Sequence, residues 1–433
     1  MKAAFYTLGC KVNQYETESM REQLRAHGYE IVGSEHQPDV FVLNSCTVTA
    51  ESDRKTRQML RRFRELLPHA VIVLAGCMPQ AFPEKAAELT AADVIIGNAA
   101  GTDIISSVNR FFQTGETVRE IYAHEKNEEY ETKPPIARFE NHTRTFLKIQ
   151  DGCDRLCSYC IIPTARGRVR SKPLDQIRSE AELMTEAGYK EIVLVGINLS
   201  SYGKSTDYNL ADAVMAVCDI PGISRVRLGS IEPDQMTADI ITKLAAQPKL
   251  CPHFHLSLQS GCDKTLKAMN RHYDTGFYRE LVTKLRSAFP DCSVTTDIMV
   301  GFPGETDLDF EESRRFLDEI GFADAHVFSY SKRDGTPAAD MPHQIPRSVR
   351  TERSRLMSET AELCRLEFIK ARLGGVYEVL FEKMTDSSTA EGYTGNYIKV
   401  RVEADASICG KIVKTRLLES KDGYCQGVIV DQL

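Results

Sequence analysis

The chain has 433 residues, 42% of them hydrophobic, which excludes a disordered protein and allows roughly two to four domains. Its net charge of −7 excludes a global positive field, so any contact with nucleic acid must be local. No apolar run approaches the ~20 residues of a membrane span, and Met1-Lys2-Ala3-Ala4-Phe5 runs into a strand without a signal-peptide layout. The expectation is a soluble, cytoplasmic protein whose thirteen cysteines, an odd number, are reduced thiols or metal ligands.

Residues 3–10 read as a strand ending Leu8-Gly9-Cys10, followed by a helical pattern with Tyr15, Met20, Leu24 and His27. Residues 40–46 and 71–77 are further apolar runs, ending in Cys46 and Cys77, with a helix at about 52–67 between them. Another helix follows Pro83, and residues 94–97 suggest a fourth strand. This alternation implies a parallel sheet with right-handed crossovers. Cys10, Cys46 and Cys77 then converge on its carboxyl edge, where open α/β folds bind ligands. The plain alternative is three unrelated buried thiols, each packing as a small hydrophobe. Arg54, Lys55, Arg57, Arg61, Arg62 and Arg64 give the second helix a basic surface, part of it plain solvated face. Lys11, Asn13 and Gln14, directly after Cys10, are placed to line the mouth of the site. Residues 124–138 are charged, contain Pro134-Pro135 and read as a linker.

A strand at 145–149 delivers Cys153-Asp154-Arg155-Leu156-Cys157-Ser158-Tyr159-Cys160 at its carboxyl end. Three cysteines spaced C-x3-C-x2-C suggest soft-metal ligation. A closed zinc or iron–sulfur site wants four protein ligands, so three thiolates leave one metal position open unless a fourth ligand comes from elsewhere. Further strands are expected at 192–195, 225–229, 253–258, 294–300 and 325–330. Helices between them show apolar faces of Leu174, Ile177, Ala181, Met184 and Ala187, and of Phe277, Leu281, Leu285 and Ala288. About six such units give an open partial barrel, with active residues at the strands' carboxyl ends. Polar strand ends at Asn198, Ser230, Gln259 and Asp297 fit a pocket for a nucleoside cofactor. Arg166, Arg168, Arg170 and Lys172 alternate after the cysteine loop and are candidates for phosphate contacts.

Pro346 opens a helix with Leu356, Leu363, Leu366 and Ile369 as its apolar face, ended by Gly374-Gly375. The period then becomes two at 376–382, 397–402 and 412–417, which suggests a small OB-like barrel with nearly balanced charge. Tyr393 and Tyr397 there are candidates for base stacking or for packing. The remaining cysteines show no ligand spacing.

The cysteine loop, with an aromatic residue before its third cysteine, resembles the cluster motif of the radical S-adenosylmethionine (SAM) enzymes. That resemblance implies a 4Fe–4S cluster on Cys153, Cys157 and Cys160. SAM is chelated at the open iron and cleaved to a 5′-deoxyadenosyl radical. It also implies SAM contacts from Tyr159, Asn198 at the amino group, Ser230 and Gln259 near the ribose and methionyl part, and Asp297 near the adenine. The whole chain resembles the methylthiotransferases. The implied layout is an N-terminal domain (1–113) holding a second 4Fe–4S cluster on Cys10, Cys46 and Cys77, a linker (114–138), a radical SAM core (139–371) and a C-terminal TRAM domain (372–433). Thr7-Leu8-Gly9-Cys10-Lys11-Val12-Asn13-Gln14-Tyr15-Glu16 is most similar to the branch that adds a methylthio group to C2 of N6-threonylcarbamoyladenosine beside the anticodon of tRNA. Neighbouring branches act on isopentenyladenosine in tRNA or on a ribosomal-protein aspartate. The resemblance further implies tRNA and an electron donor such as flavodoxin or ferredoxin as partners. The competing reading is a non-catalytic zinc protein that binds RNA.

Overall fold

The computed structural model describes residues 1–140, 142–204, 206–421 and 423–430. The N-terminal part runs β1 (Lys2–Thr7), α1 (Lys11–Ala26), β2 (Glu30–Ile31), β3 (Val40–Ser45), α2 (Ala50–Leu66), β4 (Val71–Gly76), α3 (Cys77–Ala81), α4 (Pro83–Ala87), β5 (Val94–Ile96), α5 (Ile104–Thr114) and β6 (Val118–Glu120). Its six strands form one parallel sheet in the order β2-β1-β3-β4-β5-β6. Every residue of β3 and β4 is buried. These strands are continuous apolar runs because helices cover both faces. One face buries Val42, Val73 and Val94, the other Phe41, Leu43 and Ile72. The edge strand β6 lies inside the stretch expected as linker, so the sheet extends past residue 113.

The central part continues with β7 (Thr145–Lys148), β8 (Gln150–Asp151), α6 (Ile162–Arg166), β9 (Arg170–Ser171), α7 (Leu174–Glu186), β10 (Glu191–Val195), α8 (Leu210–Cys218), β11 (Arg225–Leu228), β12 (Ser230–Ile231) and α9 (Ala238–Ala245). It is completed by β13 (His253–Leu256), α10 (Asp263–Ala268), α11 (Thr275–Ala288), β14 (Ser293–Val300), α12 (Asp307–Ile320), β15 (Asp324–Ser329), α13 (Pro337–Asp340) and α14 (Arg347–Lys370). The main strands form two parallel sheets, β11-β10-β7 and β12-β13-β14-β15, linked by a bridge between Val226 and Leu250. The long strands sit at the six places read from the sequence. Two helix faces are rotated from expectation. Phe277 is 41% exposed and Tyr278 takes the inward position in α11; Leu363 is 63% exposed, while Met357, Ala361 and Cys364 face inward in α14.

The C-terminal part is a closed five-stranded barrel, β16 (Val376–Met384), β17 (Thr389–Thr394), β18 (Lys399–Glu403), β19 (Ile412–Lys421) and β20 (Tyr424–Ile429), ordered β16-β17-β18-β20-β19. It docks on the central part through Arg225, which donates to the Glu378 carbonyl at 2.6 Å, and Arg227, which donates to the Gly395 carbonyl at 2.9 Å.

Candidate active site

Three adjacent strands of the N-terminal sheet each deliver a cysteine at their carboxyl end. Cys10 caps α1 after β1, Cys46 follows β3 directly, and Cys77 opens α3 after β4. Two glycines make the turns possible. Gly9 (φ +121°) leaves no room for a Cβ, which would lie 2.9 Å from that of Cys46. At Gly76 (φ +98°) a Cβ would lie 2.3 Å from Asn44 Oδ1. Only glycine meets both the left-handed conformation and the close approach. The thiols are electrostatic neighbours: Cys46 acts on Cys10, and both act on Cys77. Cys10 Sγ donates to Asn13 Oδ1 at 3.2 Å, and Arg166 Nε donates to Cys77 Sγ at 3.2 Å. Burial pushes the Cys77 thiol up to about 12 against the pull of Arg166, and it also raises Cys10.

The second set lies on the loop between β8 and α6. The Cys153 amide donates to the Gly167 carbonyl at 3.0 Å, which ties the start of the loop to the end of α6, and the Cys160 amide donates to the Cys157 carbonyl at 3.0 Å, which closes a tight turn between those two cysteines. Cys153 Sγ accepts from the Arg155 amide at 3.4 Å and faces Asn198 Nδ2 at 3.9 Å. Cys157 Sγ accepts from the Arg271 guanidinium at 3.2 Å. Burial pushes Cys153 up to about 11 and Cys160 up to about 12. Buried thiols of this kind shed their protons when a metal takes their place, which couples cluster loading to deprotonation.

The two sets share a boundary. Cys77 and Ala81 of α3 pack with Ile161 and Ala165 beside the second loop. Arg166 joins them, because its guanidinium holds Glu16 of α1 while its Nε reaches Cys77. In each set the sulfurs have a guanidinium partner, which suits the excess negative charge of an iron–sulfur cluster with three thiolates. Among the described residues no three His, Cys, Asp or Glu side chains are gathered as ligands of one metal ion.

Of the other expected site residues, Asn198 and Tyr159 lie at the second set. Asn198 is buried; its amide donates to Gln150 Oε1 at 2.8 Å, and its Oδ1 has no partner among the described residues. Gln259 holds a left-handed conformation (φ +73°), pinned by bridging to Ile298, and its buried Oε1 also lacks a partner. Two buried acceptors left open are what an ammonium or a ribose hydroxyl would satisfy. Tyr159 packs against Met269 and Met299, and its hydroxyl accepts from Arg271 at 3.4 Å. Ser230 and Asp297 line a separate cavity of about 310 Å³ together with Lys11, His255 and Tyr397. Asp297 Oδ2 lies 3.1 Å from His255 Nε2. A larger cavity, about 860 Å³, opens between residues 121–126 and the cysteine loop.

One sequence expectation is overturned. Arg166, Arg170 and Lys172 do not offer phosphate contacts: they are buried and paired with Glu16, Glu128 and Glu180, and only Arg168 is exposed. Buried cations must be paired, and the acids lie on α1, the linker and α7. Tyr397, read as either stacking on a base or packing, packs on His253 with ring centroids 4.6 Å apart. Arg271 and Glu232, which lie beside the second thiol set, were not singled out from sequence. Glu232 sat within a noted strand end, whereas Arg271 carries no local signal.

Comparison with known proteins agrees with this geometry. Residues 2–97 match the model described as uncharacterized protein family UPF0004, and residues 147–317 match the radical SAM superfamily. The chain is 36% identical over 433 residues to the threonylcarbamoyladenosine tRNA methylthiotransferase MtaB of Bacillus subtilis, covering 99% of this chain and 96% of that one. It is 38% identical over 399 residues to the protein of the same name from Thermotoga maritima, covering 91% and 89%. Among solved structures, the radical SAM methyltransferase TsrM of Kitasatospora setae superposes with a TM-score of 0.59 at 14% identity, over 78% of this chain and 77% of that one, which shows a shared fold. With three cysteines at strand or loop ends in each of its two matched regions and relatives aligned from end to end, this chain belongs to the radical SAM tRNA methylthiotransferase family.

Proposed function

We propose that the protein adds a methylthio group to C2 of N6-threonylcarbamoyladenosine beside the anticodon of tRNA, using two 4Fe–4S clusters and two molecules of SAM. The observation that supports this reading is that Cys77, at the carboxyl edge of the N-terminal sheet, packs on the segment that directly follows the Cys153–Cys160 loop, where Arg166 of α6 reaches back to Cys77 and Glu16. In the same reading the two central sheets form an open partial (β/α)6 barrel, and the closed C-terminal barrel is a TRAM domain. Among the described residues no helix is long and apolar enough to cross a membrane, in keeping with a cytoplasmic enzyme that takes electrons from a flavodoxin or ferredoxin.

C2 of adenine carries an unactivated hydrogen, so general acid–base catalysis has no handle on it. Bound clusters and SAM supply the one-electron chemistry that such a bond requires. The chain's own residues hold and orient these groups. Cys153, Cys157 and Cys160 are the ligands of one cluster, and Cys10, Cys46 and Cys77 of the other. Arg271 and Arg166 donate to a sulfur of each set and balance its negative charge. Asn198 Oδ1 and Gln259 Oε1 present the open acceptors for SAM. Tyr159 and its methionine neighbours exclude water on the other flank.

The test is mass analysis of tRNA nucleosides from cells with and without the gene. The methylthio derivative of threonylcarbamoyladenosine is expected to vanish on deletion and return with the wild-type gene. Its persistence, or loss of a different nucleoside, overturns the substrate assignment.

A further inference from the structure

Lys11 is an exposed lysine at the edge of the N-terminal cysteine set. It follows Cys10 at the start of α1 and lines the 310 Å³ cavity with Ser230, His255 and Tyr397. Among the described residues it makes no ion pair, unlike Arg144 and Arg227 nearby, which hold Glu382 and Glu191. Its electrostatic neighbours are the Tyr397 phenol, those two guanidiniums and the Cys10 thiol. Of the two acids in the same wall, Asp297 faces His255 and Asp324 stands at the exposed start of β15. This end of the cavity is therefore positive and has room for a small anionic group.

The geometry points to Lys11, backed by Arg144 and Arg227, as the receptor for the carboxylate of the threonylcarbamoyl substituent. The inference rests on the proposed activity towards threonylcarbamoyladenosine. In adenine, C2 and the carbon that bears N6 are both bonded to N1, so they share one edge of the ring. When C2 faces the thiol set at Cys10, the N6 substituent runs past the residue next to it. An N6-alkyl group has no charge to place there, so Lys11 also selects against such adenosines. A polar site left unpaired by the wrong ligand discriminates far more strongly than a hydrophobic one does.

The test uses the full-length, cluster-loaded protein and anticodon stem-loop RNAs carrying threonylcarbamoyladenosine either as the free acid or as its methyl ester. The wild type is expected to prefer the acid by about tenfold or more in kcat/KM for methylthio product. In Lys11→Met that preference collapses to near one, and Lys11→Arg restores part of it. If the wild type treats acid and ester alike, the receptor assignment is wrong. If Lys11→Met lowers both equally, Lys11 serves SAM, an RNA phosphate or the fold, and the assignment is again overturned. A wild type that modifies neither RNA but acts on a different adenosine refutes the proposed substrate itself.

Discussion

Arg166 Nε donates to Cys77 Sγ across 3.2 Å, and the rest of the same guanidinium holds Glu16, so one side chain from the central part anchors the N-terminal thiol site. Arg166 is 1% exposed, and Lys148 and Asp151 complete its network. Arg166→Met is expected to leave Cys77 without its cation and Glu16 with Lys148 alone. Removing one partner of a buried pair costs about 3–5 kcal/mol. Thermal melting should show a clear drop, and reconstitution should leave the N-terminal site short of iron. An unchanged melting temperature together with full iron loading would show that the bridge holds nothing.

The two thiol triads are separable by experiment. The reconstituted protein should be brown and hold about eight irons, as two four-iron clusters require. Cys157→Ala removes a ligand of the second set and should abolish release of 5′-deoxyadenosine from SAM. Cys46→Ala lies in the other set and should still cleave SAM while transferring no sulfur. Iron near four in the wild type, or normal sulfur transfer by Cys46→Ala, contradicts the two-site assignment.

The strand-end cysteines were legible in the sequence because each closes an apolar run, and a parallel sheet puts all such ends on one edge. The fate of Arg166, Arg170 and Lys172 was not. Alternation placed them on one side of an extended segment, yet nothing local tells whether that side meets water or the acids of α1 and α7. Strands β17 and β20 were hidden by Gly392 and Gly427, because glycine between apolar runs is the ordinary mark of a turn. In the barrel they are close approaches instead: a Cβ on Gly392 would lie 2.2 Å from the Leu380 carbonyl oxygen. Phe277 and Leu363 were misplaced because a neighbouring set of residues, one position along, satisfies the same helical period.

Glu18 predicts a pH effect on stability. Burial pushes its carboxyl from 4.5 up to about 7, with Glu140 adding to the rise and Arg21 opposing it. Between those values the folded chain holds a proton that the unfolded chain has lost. Stability from this group is therefore greatest below about pH 4.5, falls as pH rises towards 7 and is flat above. Glu18→Gln removes that fall. The difference in unfolding free energy between variant and wild type should grow by roughly 1–3 kcal/mol from pH 5 to pH 8. A difference that does not change with pH would place the carboxyl in its ordinary range.

A second clamp closes the site from the opposite side. Arg333, beyond β15, donates to Asp53 Oδ2 at 2.7 Å and to Thr47 Oγ1 at 2.8 Å, and its guanidinium lies 4.8 Å from the centre of the Phe82 ring. Thr47 directly follows Cys46, and Asp53 donates nothing in return but accepts from Thr47 at 2.7 Å. The central part thus grips the segment that aims one cluster ligand. Arg333→Leu leaves Asp53 buried and unpaired, and should cost about 3–5 kcal/mol. Pairing it with Asp53→Leu removes both charges, so the double variant should melt above the sum of the single losses. Sulfur transfer should fall more steeply than SAM cleavage in Arg333→Leu, because the lost contact lies beside Cys46 and not beside Cys157. Strict additivity of the two melting shifts, with both activities falling in step, would show that the pair neither couples the domains nor orients the thiol.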